Sequence, residues 1–161
     1  MKSLTTHQTH LQAQNIFHSE TTLGGHPAIV GYEKQFRWSW MATQLNCFVV
    51  VVDCGDTPVT AETFETLFPE AHAYAKEHYT GWPKGLQSGV GVVLLLTGTE
   101  VSQDAQDYCT ELKAGKKWAG FNVPLARNTA NGQGYLFEKK PMWGRIYFGY
   151  FQELATGLLK A

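Results

Sequence analysis

Apolar residues recur along this chain at two periods, every second position in some stretches and every third or fourth in others. The densest stretch covers residues 35–53, QFRWSWMATQLNCFVVVVD. Its last part, Cys47 to Val52, is apolar on both parities and closes at Asp53-Cys54-Gly55-Asp56. A short β-branched run of this kind predicts a strand covered on both faces. Phe36, Trp38 and Trp40 share one parity, so residues 36–42 read as a separate, aromatic-faced strand. One unbroken strand over this whole stretch would be roughly 60 Å long at ~3.3 Å per residue. A domain of this size is only about 30–40 Å across, so the stretch must break, and Thr43-Gln44-Leu45-Asn46 is the expected place.

Upstream, residues 1–10 are polar and read as an N-terminal tail. Leu11, Ala13 and Phe17 alternate weakly toward Glu20. Gly24-Gly25 supplies the positive φ of a tight hairpin, with Pro27 to Glu33 returning and Glu33-Lys34-Gln35 forming a turn. These segments predict an N-terminal β-meander of about four strands.

Downstream the period becomes helical. Thr60 is an N-cap, and Phe64, Leu67, Phe68, Ala71, Ala75 and Tyr79 lie on one helical face. Pro69 is expected to kink that helix or to start a second one. Gly89 to Leu96 is a second two-sided strand, with Gly89 and Gly91 leaving room for a ring or backbone. Ser102 caps a helix bearing Ala105, Tyr108, Cys109 and Leu112, and Gly115 is the residue expected after its end. Phe121, Val123 and Leu125 alternate around Pro124, which places that strand at an edge. Asn131-Gly132 signals a hairpin returning through Tyr135 to Lys139. Ile146, Tyr147, Tyr150, Phe151, Leu154 and Leu158 make a terminal amphipathic helix. The order predicts a single α+β domain: a mixed, largely antiparallel sheet with an N-terminal β-meander, packed by about three helices mostly on one face.

Composition narrows the function classes. The 161 residues fit one domain and carry a formal net charge of −1. That balance gives no electrostatic case for a nucleic-acid partner. No apolar run approaches the ~20 residues of a membrane span. The first residues lack the apolar core of a secretory signal, so a soluble, cytoplasmic protein is expected. Cys47, Cys54 and Cys109 form no disulfide framework; Cys47 and Cys109 are expected buried, and Cys54 is the thiol expected nearest the surface.

Candidate chemistry is sparse. Asp53, Asp56 and Glu100 lie in two strand-exit loops, which would sit together at the carboxyl edge if their strands are parallel neighbours. Oxygen ligands there suit a hard divalent cation, and the reading is a metal-dependent hydrolase. Cys54 lies between acidic residues that oppose a reactive thiolate. Gly85 to Gly91 precedes a strand instead of opening a helix, so it is no phosphate cradle. Glu138-Lys139-Lys140 with Asp53 matches only a very short nuclease-like pattern, which Glu111-Leu112-Lys113 matches equally. The histidines show no zinc spacing, and no cofactor is implied. The remaining feature is a set of rings and cations: Arg37, Trp38, Trp40, Trp82, Lys84, Trp118, Arg127, Trp143 and Arg145. Trp and Arg are the commonest anchors of binding surfaces. The reading preferred from sequence is therefore a non-catalytic binding or self-associating module, expected as a homodimer.

Overall fold

The computed structural model of the chain describes residues 2–37, 43–81, 88–113, 121–138 and 145–161. In chain order the elements are α1 (Lys2–Ala13), β1 (Phe17–Leu23), β2 (His26–Arg37), β3 (Thr43–Asp53), α2 (Ala61–His78), β4 (Ser88–Gly98), α3 (Gln103–Thr110), β5 (Phe121–Asn128), β6 (Gly134–Tyr135) and α4 (Arg145–Lys160). The fold is α+β. The strands form one mixed sheet in sequential order, β1-β2-β3-β4-β5-β6. β1, β2 and β3 are an antiparallel meander. β3, β4 and β5 run parallel, and β6 closes the far side with a short antiparallel pairing.

The two apolar runs are the sheet's central strands. β3 and β4 pair from Gln44↔Ser88 to Asp53↔Thr97. Cys47 to Val52 and Val92 to Leu96 are wholly buried, because side chains of alternate parity enter two different cores. On one face Phe48, Val50, Val52, Val92, Leu94 and Leu96 meet α2 and α3 through Phe64, Leu67, Phe68, Ala105 and Tyr108. On the other face Leu45, Cys47, Val49, Val51, Val93 and Leu95 meet α1 and α4 through Leu4, Leu11, Phe151, Leu154 and Leu158. Helices therefore cover both faces, not mostly one. A strand apolar on both parities demands cover on both sides, and the two chain ends provide the second layer.

Residues 2–13 are a helix, where a tail was expected. Its buried positions are Leu4, His7 and Leu11, a stripe obscured in sequence by the histidine at its centre. The His7 Nε2–H donates to the Leu158 carbonyl near the end of α4 at 3.0 Å, which satisfies the buried ring.

The meander has three strands in the described residues, not about four. Phe36 and Arg37 complete β2, whose pairing with β3 runs without interruption from Ala28↔Val52 to Arg37↔Thr43. Glu33-Lys34-Gln35 is thus mid-strand. The backbone hydrogen bonds of a long antiparallel ladder outweigh the local turn preference of three polar residues. The Gly24-Gly25 hairpin is present, with φ of 57° and 80°.

Thr60 caps α2 with a reciprocal capping box. α2 continues through Pro69 as one helix. Phe64, Leu67, Phe68, Ala71 and Ala75 bury one face around it and hold the helix together despite the missing N–H. α3 starts at its Ser102 cap but ends at Thr110. Leu112, at φ 53°, takes the left-handed position that was expected of Gly115, a residue outside the described set. Pro124 pairs with Leu94 on one side, while β6 reaches only Ala126 and Arg127 on the other. β5 is therefore an outer strand at the proline, among the described residues, as a missing N–H requires.

Candidate functional site

The carboxyl end of the parallel strands holds the acidic loops. Asp53↔Thr97 pairing makes the loops adjacent. The Cys54 N–H donates to the Thr97 carbonyl at 2.8 Å, and the Thr99 N–H to the Gly55 carbonyl at 3.0 Å. Val59 and Val101 form a further bridge. The carboxylates take part in this lacing. Asp53 Oδ1 accepts the Gly55 N–H at 2.9 Å, and Asp56 Oδ1 accepts the Thr99 hydroxyl at 3.3 Å. Burial works against the Asp53 carboxylate, yet neighbouring donors and positive charge, among them the Gly55 N–H and His26, hold its pKa below the ordinary carboxylate value. Glu100 is exposed. Among the described residues, no three His, Cys, Asp or Glu side chains are grouped to hold a metal ion.

Cys54 lies beside this edge and is only 3% exposed. It is the least buried of the three thiols, as expected, although the loop still closes over it. Burial, and secondarily the Asp53 charge, pushes its pKa up to about 11. Cys47 and Cys109 are buried as expected, and burial raises both thiols further.

The amino end of the parallel strands has a different character. On the α4 side, the Tyr150 hydroxyl donates to Glu33 Oε2, and Gln35 Nε2 donates to Glu33 Oε1. The Cys47 thiol is within hydrogen-bonding reach of Tyr150. The Arg37 guanidinium lies 5.8 Å from the Tyr150 ring centroid, a cation–π arrangement. The preceding residue, Phe36, points to the opposite face of β2 and is 39% exposed, the one large apolar side chain among the described residues that is open to solvent. Phe121 packs edge-on to Tyr147 at 5.0 Å, so the first turns of α4 also stand at this end.

On the α2 side of the same end lies a cluster of rings. His18 contacts Tyr32, Tyr74 and His78 edge-on, with centroids at 6.3, 6.1 and 5.3 Å. Tyr74 stacks on His78 at 4.1 Å, and Tyr32 stacks on Phe48 of the sheet at 4.1 Å. Beneath them Asn46 is wholly buried. It accepts from the Tyr32 hydroxyl at 2.6 Å and donates to Gln44 Oε1 at 3.2 Å and the Tyr79 hydroxyl at 3.3 Å. Lys34 reaches Thr80 Oγ1 at 3.2 Å across the Tyr32 ring. His18, Tyr32 and Tyr74 lie on separate elements and share no spacing, so sequence patterning has no means of joining them. The i, i+4 relation of Tyr74 and His78 is the single local signal.

Of the ring-and-cation set, Arg37 stands at the amino end, while Arg127 pairs with Thr97 and Gly134 at the carboxyl end. Trp38, Trp40, Trp82, Lys84, Trp118 and Trp143 lie outside the described residues, as does the Arg145 side chain. No family model, curated protein or solved structure matches the chain.

Proposed function

We propose that this protein is a non-catalytic binding module that self-associates as a homodimer through the amino end of its parallel strands. The observation that carries the reading is Phe36, a large apolar ring exposed at the same end of the sheet as the Arg37–Tyr150 pair, on the opposite face of β2. Exposed aromatics flanked by arginine are the usual anchors of an interface core. The net charge of −1 leaves nucleic acid an unfavoured partner. No helix among the described residues is long and apolar enough to cross a membrane, and the reading places the protein in the cytoplasm.

Sedimentation equilibrium tests it. The expected mass is twice the 18.0 kDa of the chain. Phe36→Asp with Arg37→Glu should shift the protein to monomer while leaving its circular dichroism unchanged. A monomer at all concentrations would overturn the reading. The acidic loops are adjacent, but Asp53 and Asp56 are engaged in loop lacing, so the hydrolase reading is not adopted.

A further inference from the structure

His18 is the second residue of β1 and is exposed; His78 closes α2 and is half-buried. Folding brings these distant residues to a ring-centroid separation of 5.3 Å with the planes at 71°. Both rings are held. Tyr74 stacks on His78 and hydrogen-bonds Ser19, the neighbour of His18, which ties α2 to β1 at this point. Tyr32, itself stacked on Phe48, flanks His18 from the sheet side. The pair is thus close, packed among neighbouring rings and open to solvent on the His18 side.

That spacing has chemical meaning. A metal ion ~2.0–2.1 Å from one nitrogen of each imidazole, at a near-tetrahedral angle, places the ring centroids roughly 5 Å apart. Neutral imidazole suits borderline ions such as Zn²⁺ and Cu²⁺, whereas Mg²⁺ and Ca²⁺ demand oxygen. We propose that His18 and His78 form a two-imidazole site for a divalent transition-metal ion, with water completing its coordination. The site bridges β1 and α2 and does not depend on the self-association reading. It falls outside the three-ligand clusters that mark structural zinc centres, so it describes an exchangeable ion.

Titration calorimetry with Zn²⁺ and Cu²⁺ on the whole chain tests this. One equivalent should bind saturably, Mg²⁺ should give no such heat, and His18→Gln and His78→Gln should each weaken binding at least tenfold. His10→Gln and His26→Gln should leave it unchanged. Electron paramagnetic resonance of the Cu²⁺-loaded wild type provides a readout that needs no variant, and nitrogen hyperfine structure from two imidazoles is expected. Absence of saturable binding, undiminished binding in either single variant, or a single coordinating imidazole would overturn the proposal.

Discussion

Gly91 shows how one residue can be set by a distant neighbour. A Cβ added there would lie 2.9 Å from Phe151 Cζ, on a ring wholly buried in the α4-side core. Gly91→Ala should therefore destabilise the fold by about 1–3 kcal/mol through overpacking, read as a lower urea midpoint with an unchanged slope. An unaltered midpoint would mean that the Phe151 ring does not seat against β4. Cys54 makes a second test at this scale. With its pKa raised to about 11 and its side chain 3% exposed, almost no thiolate is available near neutrality. Iodoacetamide at pH 7.5 should leave it unmodified over a period that labels the urea-unfolded chain fully, as judged by intact mass. Rapid labelling of a single cysteine in the native protein would contradict the closed loop.

Among the elements, α2 carries an internal conflict. Its capping box and buried stripe favour one continuous helix, while the exposed Pro69 removes a hydrogen bond from its middle. An interior proline costs about 3 kcal/mol, and its restriction of the unfolded chain returns less than ~1 kcal/mol. Pro69→Ala is expected to stabilise the protein by about 2 kcal/mol, seen as a raised thermal midpoint. Thr60→Ala should act in the opposite direction, by about 1 kcal/mol, because it removes the side-chain acceptor at the helix start. α1 raises a different issue at this scale. Its docking depends on Leu4, His7 and Leu11 meeting the face that α4 also covers, so its order is a property of the packed molecule and not of its own sequence.

Across the whole molecule, the buried thiols and hydroxyls set an alkaline limit. Burial raises Cys47, Cys54 and Cys109 above the ordinary thiol value, and raises Tyr108 and Tyr150 above the ordinary phenol value. In the unfolded chain these groups ionise near their ordinary values, so above roughly pH 8.5–9 the unfolded state binds fewer protons than the folded one. Their contribution is present below the unfolded pKa and is lost as pH rises through the folded values, of which Cys54 at about 11 is the lowest among the thiols. The urea midpoint should hold steady from pH 7 to 8.5 and fall progressively toward pH 11. A flat profile across that interval would show the thiols to be solvated.

Local signals made much of the fold legible. The two-sided apolar runs became the paired central strands β3 and β4. Gly24-Gly25 became the first hairpin, and Thr60 and Ser102 became caps. Gly91 became the seat of a ring. Each of these rests on backbone sterics or hydrophobic period within a few residues, which a sequence displays directly. Less of the candidate site could be read this way. Arg37 was singled out by residue type alone; its partner Tyr150 and the Tyr150–Glu33 hydrogen bond join residues far apart in the chain.

By itself, then, the sequence determined the types of the central strands and of the helices after Asp53, the buried spine and the α+β class, because those depend on side-chain period and short-range conformational preference. Tertiary structure alone decided three things: that a polar N-terminus would be a helix closing the second face, that Arg37 and Arg127 would stand at opposite ends of the sheet, and that His18 would meet Tyr74 and His78. Each is a convergence of residues from separate elements, and only the packing of the layers around the sheet brings such residues together.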